Sequence, residues 1–123
     1  MQVFTKNDVY WGEVNEDKMK EHLELIKKKG FFNFKKKLLA EDRGFYDFIF
    51  DETRADWRFC LPVKKDWRVL DAGAGLGANT FVLAREVVEV CAMERADLRL
   101  KFLSLRKEYE SADNVKIISG DAL

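Results

Sequence analysis

The spacing of apolar residues changes near residue 67, from a helical period to short apolar runs that alternate with helical segments. Before that point the pattern predicts only helices, so we expect residues 1–66 to form an N-terminal helical cap. After it, strands and helices alternate, which indicates a parallel sheet with right-handed crossovers over 67–123. With 123 residues, the chain fits one α/β domain that contains both parts.

The cap is predicted to consist of short amphipathic helices. The first begins near Asn15, has acidic residues in its first turn and stops at Gly30. A second covers 31–39. Gly44 breaks the pattern ahead of a dense aromatic cluster that forms a short helix or turn. A last short helix covers 51–61 and ends before a proline.

Three apolar runs in the second half predict three strands, at 68–70, 87–93 and 115–119. Helices over 78–86 and 97–111 connect them. An acidic residue follows each run; these residues are Asp71, Glu94 and Asp121. The carboxyl ends of parallel strands form the sheet edge where ligands bind in open α/β folds, so the three acids are candidate ligand contacts.

Three glycines at alternate positions, Gly73, Gly75 and Gly77, follow the first predicted strand, and a helical pattern starts almost directly after them. Glycine permits positive φ and lets a ligand approach the backbone. A turn between a strand and a helix N-terminus is a usual place to hold a nucleotide-like ligand. Gly73, Gly75 and Ala78 also fit the looser dinucleotide pattern, so the glycines alone leave the cofactor open.

The acids separate the two cofactors. A pyrophosphate is anionic, and Asp71 would repel it from a loop that starts two residues later, whereas S-adenosylmethionine carries an ammonium, a sulfonium and no phosphate. Glu94 follows Asp71 by 23 positions (94 minus 71), close to the roughly 20 expected for an acid that binds ribose hydroxyls. Asp121 suits an adenine amino group.

Residues 69–77 resemble the first motif of the class I (Rossmann-like) S-adenosylmethionine-dependent methyltransferases. The resemblance covers about 67–123. It implies a partial Rossmann-like, three-layer fold with a short parallel sheet in the order 3-2-1. It also implies that Gly73 and Gly75 let the backbone approach the methionine part of the cofactor, and that Asp71 acts near the cofactor's ammonium.

Glu94 resembles the second motif of the family, and the segment that contains Asp121 and Ala122 resembles the third. The resemblance implies that Glu94 holds the ribose hydroxyls, that Asp121 bonds the adenine amino group and that the Ala122 amide lies at the ring. The family often has an apolar residue after the second acid, where this chain has Arg95. Arg54 either reaches the cofactor carboxylate or is a surface arginine.

Methyltransferases of this family have further strands that supply the substrate site and the catalytic residues. Because this chain ends after its third predicted strand, we expect the cofactor-binding part of a longer enzyme that is inactive alone, with catalytic residues beyond Leu123. The acceptor is expected to be a small molecule or a sugar. The alternatives are an NAD(P)-binding oxidoreductase domain and a non-enzymatic Rossmann-like interaction module.

The charge balance, 22 basic against 22 acidic residues, provides no field that favours nucleic acid or an anionic membrane. Lysine runs at 27–29 and 35–37 flank phenylalanines and would permit nucleic-acid contacts. Nearby acids favour two solvated helix faces instead. The family strand order leaves the edge of 68–70 open, which predicts either self-association along that edge or its coverage by the N-terminal helices.

The remaining chemistry-bearing residues are few. Cys60 and Cys91 form no CxxC pair and are expected to be buried thiols in a reducing cytosol. His22 is expected on a helix surface, and one histidine without a cysteine cluster offers almost no zinc ligands. The chain shows no apolar signal segment and no run of membrane-spanning length, so a cytoplasmic protein is predicted.

Overall fold

The computed structural model describes residues 16–121, which form a helical part followed by alternating strands and helices. The helices are α1 (Glu16–Lys29), α2 (Phe31–Glu41), α3 (Arg43–Phe50), α4 (Thr80–Ala84) and α5 (Asp97–Glu110), with a 3₁₀ helix at Glu52–Cys60 between α3 and the first strand. The strands are β1 (Arg68–Ala72), β2 (Glu89–Glu94) and β3 (Val115–Ser119). The predicted change from helices to alternating strands and helices is confirmed.

The three strands form one parallel sheet with β2 in the centre, in the predicted order. The register pairs Asp71 with Ala92 and Glu94 with Ser119. The ladder extends one step further, because the Gly120 amide donates to the Glu94 carbonyl at 3.0 Å. The carboxyl ends of the strands therefore meet at one edge, as the parallel arrangement requires.

Several element boundaries differ from the prediction: β1 ends at Ala72 rather than residue 70, and α4 covers only Thr80–Ala84 of the predicted 78–86. Gly44 does not break a helix, because α3 begins at Arg43 and runs through it. The Asp42 side chain caps this helix, because it accepts a hydrogen bond from the Phe45 amide at 3.1 Å. Gly44 lies in the first turn, where backbone N–H groups have no intrahelical acceptor in any case. Strand β2 begins two residues later than predicted, because the Val87 amide still donates to the Leu83 carbonyl of the preceding helix.

The molecule has three layers in the order sheet, α4 with α5, and α1 with α2. Two apolar clusters fill the spaces between them. The aliphatic cluster lies between the sheet and its helices and includes Val90 and Leu103. The aromatic cluster lies between the cap and α5 and includes Phe34 and Phe102. Helix α5 thus contributes neighbouring residues to both cores, and each buried side chain of this size stabilises the fold by about 1.5–3 kcal/mol.

The opposite face of the sheet carries no helix among residues 16–121. Leu70 on β1 is 59% exposed and Ile118 on β3 is 42% exposed. In the described chain β1 pairs with β2 alone, and helices α1 and α2 pack against α5. Coverage of the β1 edge by the N-terminal part, or self-association along that edge, stays a prediction.

Three solvent-exposure expectations have clear outcomes. His22 is buried rather than exposed, because it shares a helix face with Met19 and Ile26. Cys60, expected to be buried, is exposed at the end of the 3₁₀ helix, and Cys91 is half-buried on the open sheet face. Between the lysine runs, Phe34 belongs to the core.

Among residues 16–121, no helix has the length and apolar character needed to cross a membrane.

Candidate cofactor site

The glycine loop connects β1 to α4 at the carboxyl edge of the sheet. Gly73, Gly75 and Gly77 have φ values of 70°, 61° and 87°. A residue with a side chain would lose roughly 1–2 kcal/mol at each of these left-handed positions. The amides of Gly73 and Ala74 both donate to the Met93 carbonyl at 2.9 Å, so the loop is fixed to the end of β2.

The three glycines differ in what surrounds them. A Cβ added to Gly77 would lie 2.5 Å from Cε2 of Phe81, so this glycine lets the loop pack on the core. A Cβ added to Gly73 or Gly75 would meet no atom within 4 Å. These two glycines therefore leave open space directly above the backbone, which is what a ligand that approaches the main chain needs.

Glu94 is buried, at 4% exposure, and its carboxylate is bonded to the surrounding backbone. Oε1 accepts from the Gly75 amide at 3.3 Å, and Oε2 accepts from the amides of Arg95 and Ala96 at 2.7 and 2.8 Å. The guanidinium of Arg99 lies 3.7 Å from Oε1. A carboxylate can accept about four hydrogen bonds, so these three amides leave capacity for about one further donor, such as a ribose hydroxyl.

Asp71 lies beneath the loop and joins β1 to α4. Its Oδ2 accepts from the hydroxyl of Thr80 at 2.6 Å, and Thr80 is fully buried. Burial raises the pKa of Asp71 above its usual value, and the Thr80 hydroxyl partly opposes this rise. The structure therefore places Asp71 next to the first turn of α4, where its hydrogen bond with Thr80 links the end of β1 to that helix.

Asp121 lies next to Arg95, at 3.5 Å between Oδ2 and Nη1. Both side chains are about half exposed. Arg95 stands at the position where the family often has an apolar residue, and here it pairs with the acid predicted to contact adenine. Ala122, the remaining predicted contact, lies outside the described residues.

A cavity of about 150 Å³ opens beside the loop. Its lining comes from the loop, the cap and α5: Phe48, Arg54, Gly73, Ala74, Gly75, Leu76, Ala78, Asn79 and Arg99. Arg54 stacks over the ring of Phe48 at 4.6 Å and donates to the Phe48 carbonyl, so it forms part of the cavity wall. Since ligand pockets usually measure about 300–1,000 Å³, this cavity accommodates only part of a cofactor.

Comparison with known proteins gives matches at the level of structure. No protein-family model and no curated protein sequence matches the chain. Solved structures do match it, and the following three are among those with TM-scores of 0.50 or above and at least 25% identity. Precorrin 8W decarboxylase from Methanobacterium thermoautotrophicum is 28% identical with a TM-score of 0.52, over 58% of this chain and 39% of that chain.

A dimethyladenosine transferase from Plasmodium falciparum is 25% identical with a TM-score of 0.50, over 53% of this chain and 24% of that chain. The N-terminal domain of EvdMO1, solved with SAH bound, is 27% identical with a TM-score of 0.50, over 57% of this chain and 29% of that chain. The chain has the Rossmann-like fold of the class I S-adenosylmethionine-dependent methyltransferases. It spans between 24% and 39% of the length of these three structures.

Two residues that hold this methyltransferase-like loop in place, Asn79 and Arg106, are not predictable from the sequence. Asn79 accepts from the indole Nε1 of Trp57 at 2.9 Å and thereby ties the 3₁₀ helix to the start of α4. Arg106 is buried, and its Nη1 donates to the carbonyls of Ile49 and Leu76 at 3.1 and 3.0 Å. It therefore connects the cap, the loop and α5. Both contacts join residues far apart in the chain, and no local motif indicates them.

Proposed function

We propose that the chain binds S-adenosylmethionine at the glycine loop and is the cofactor-binding part of a methyltransferase. One observation carries this proposal: the open space above Gly73 and Gly75, next to a loop held by the buried carboxylate of Glu94. The fold supports it, since a structural neighbour of 27% identity was solved with SAH bound. In this proposal the two glycines admit the methionine part, and Glu94 accepts from a ribose hydroxyl.

The adenine contacts belong to the same proposal. Asp121 would accept from the adenine amino group, with the Ala122 amide at the ring, while Asp71 would act near the cofactor's ammonium. For Asp121 to do so, its ion pair with Arg95 has to open or to share the carboxylate. Both side chains are half exposed, and exposed pairs of this kind contribute only about 0–1 kcal/mol, so the rearrangement is inexpensive.

A second candidate is an NAD-binding domain, and one observation favours it. Arg54 and Arg99 both line the loop cavity, and guanidinium groups suit a pyrophosphate as well as a carboxylate. The buried carboxylate of Glu94 lies close to Arg99 and offsets the positive charge of its guanidinium, which makes Arg99 less suited to a pyrophosphate. The methionine part of S-adenosylmethionine also carries a carboxylate for Arg54, so the first candidate uses the same residues.

For the methyl acceptor we propose a small molecule or a sugar rather than nucleic acid. The balanced charge supports this, as does the burial of Phe34 between the two lysine runs. The catalytic residues would lie in a part of the enzyme outside this chain. We also propose a cytoplasmic location, which fits the exposed free thiol of Cys60, and self-association through the open edge of β1.

Titration calorimetry of the full chain with S-adenosylmethionine, S-adenosylhomocysteine and NAD separates these possibilities. We expect saturable heat with the first two ligands and none with NAD. Glu94→Gln is expected to weaken binding at least tenfold, and the matched control Glu89→Gln, at the other end of β2, should leave it unchanged. Tighter binding of NAD would support the second candidate, and no binding of any of the three would support a non-enzymatic module.

A further inference from the structure

A groove of about 840 Å³ lies between α1 and α5. Its lining residues run from Lys20 to Lys27 on α1 and from Leu98 to Leu105 on α5, which is about two turns of each helix. The groove is open to solvent, and it shares no lining residue with the cavity at the glycine loop. It is therefore a surface feature that stands apart from the proposed cofactor site.

The floor of the groove is apolar. Four leucines line it, and each is partly buried: Leu23, Leu98, Leu100 and Leu105. All but Leu100 also pack against the aromatic cluster, so the core beneath fixes the position of the floor. An apolar groove between two helices is a surface on which an amphipathic helix can dock through its own apolar face.

The rim of the groove is basic. It consists of Lys20, Lys27 and Lys101, together with Glu24 and Ser104, and all five side chains are exposed. Three cations against one carboxylate give the groove a positive potential, although the chain as a whole carries no net charge. The groove therefore favours an occupant that carries negative charge.

Ion pairs neutralise only part of this rim. Lys20 has an ion pair within α1 at 3.6 Å, whereas Lys27 and Lys101 have none within residues 16–121. The lining acid, Glu24, lies 3.9 Å from Lys28, which is outside the groove and offsets its charge. The two uncommitted lysines belong to different helices, Lys27 to α1 and Lys101 to α5. Positive charge is thus available on both sides of the apolar floor.

We propose that this groove docks an acidic amphipathic helix of a partner protein, with its apolar face on the four leucines and its carboxylates on Lys27 and Lys101. The lysines on the two sides match an apolar stripe that has acids on both flanks. A basic helix would be repelled by the rim, and an uncharged one would leave both lysines without partners.

A synthetic peptide of about 15 residues, long enough to form a helix, tests the proposal through the fluorescence anisotropy of an attached dye. Its leucines recur at spacings of three and four, and glutamates flank them on both sides. Titration with the full chain should give saturable binding that added salt weakens. A peptide with lysine in place of each glutamate, and one with serine in place of each leucine, should each bind at least tenfold more weakly. No saturable binding of the acidic peptide, or equal binding of either control peptide, would overturn the proposal.

Charge-reversal variants test whether the peptide binds at this groove. The double variant Lys27→Glu with Lys101→Glu changes only exposed side chains and should weaken binding of the acidic peptide at least tenfold. The matched double variant Lys36→Glu with Lys65→Glu changes the net charge equally at exposed lysines outside the groove and should bind like the wild type. Equal losses in the two double variants would refute the site, because net charge alone would then explain the binding.

Light scattering of the free chain tests the rival occupant, a second copy of this chain. We expect the groove variant with Lys27→Glu and Lys101→Glu to have the same oligomeric state as the wild type. A wild-type dimer that this variant dissociates would show that the groove joins two copies, and would contradict the docking of a partner helix.

Discussion

The glycine loop and the helical cap each contain a buried polar side chain, Glu94 and His22, and the two side chains differ in their hydrogen bonding. The carboxylate of Glu94 accepts hydrogen bonds from three backbone amides and lies near the guanidinium of Arg99. The Nε2 of His22 has no partner among residues 16–121. The loop is thus pre-organised by its own backbone, with open space above two glycines, while the cap offers hydrogen-bonding capacity that the described chain does not use.

The two regions are nevertheless joined through α5. Phe102 belongs to the aromatic cluster of the cap, and its neighbour Leu103 belongs to the aliphatic cluster of the sheet. Arg106, one turn further along, bonds a carbonyl from α3 and a carbonyl from the loop, and lies over the rings of Phe50 and Phe81. A substitution at one residue of α5, such as Arg106, should therefore destabilise the packing of the cap and of the loop together.

The largest expected effect is at Arg106. Arg106→Leu should lower the free energy of unfolding by about 2–4 kcal/mol, because the carbonyls of Ile49 and Leu76 lose their buried donor. Urea denaturation followed by circular dichroism measures this loss. The control Arg43→Leu removes an exposed arginine paired with Asp47 and should cost less than about 0.5 kcal/mol. Equal losses in the two variants would show that Arg106 does not join the regions.

The next effect distinguishes two glycines of the loop. Gly77→Ala and Gly75→Ala both place a methyl group at positive φ, which costs about 1–2 kcal/mol each. Only the methyl at position 77 overlaps Phe81, which adds about 1–3 kcal/mol. Gly77→Ala should therefore be the less stable variant in thermal or urea unfolding. The packing role of Gly77 would be refuted by indistinguishable stabilities.

A smaller effect concerns pH and tests the buried histidine of the cap. Because the pKa of His22 is lower in the folded state than its ordinary value of 6.5, the unfolded chain takes up a proton first as pH falls. Stability should therefore decrease as pH falls below about 6.5 and level off below the lowered pKa. His22→Phe should remove this slope. A wild-type stability that is flat across the window would contradict the burial of a neutral His22.

The smallest effect concerns the ion pair that joins the 3₁₀ helix to the end of α4. Both nitrogens Nη1 and Nη2 of Arg85 donate to Glu52, at 2.9 and 2.8 Å, but both side chains are more than half exposed. Glu52→Gln should cost at most about 1 kcal/mol, and added salt should reduce that cost. Denaturation at low and high ionic strength measures it, and a salt-independent loss of several kcal/mol would show that this contact matters more than its exposure suggests.

Local patterns predict the sheet half well, because strand ends, glycines and acids are set by short-range chemistry. The order of the sheet and the positions of Asp71 and Glu94 at its edge follow from the alternating pattern and the family resemblance. Contacts between distant residues are not predictable in this way. The stacking of His22 on Phe45 joins two helices of the cap, and the pairing of Arg95 with Asp121 joins the ends of β2 and β3. The hydrogen bonds that Arg106 donates depend on how the cap and the loop pack on α5.

Exposure at element ends is also hard to predict. Cys60 has apolar neighbours in sequence, yet the 3₁₀ helix ends there and leaves the side chain in solvent. The burial of His22 has a visible signal, since Met19 and Ile26 lie on the same helix face at spacings of three and four. That signal indicates the face, but its aromatic partner comes from α3 and becomes known only with the structure.

The most direct test of the central proposal is calorimetric titration of S-adenosylmethionine into two matched variants. Gly75→Ala and Gly30→Ala each add a methyl group at positive φ with no atom within 4 Å, and Gly30 lies between α1 and α2 rather than in the loop. Only Gly75 lines the loop cavity. We predict that Gly75→Ala weakens S-adenosylmethionine binding at least tenfold, while Gly30→Ala binds it like the wild type. Equal affinities in all three proteins, or no binding to the wild type, would contradict it.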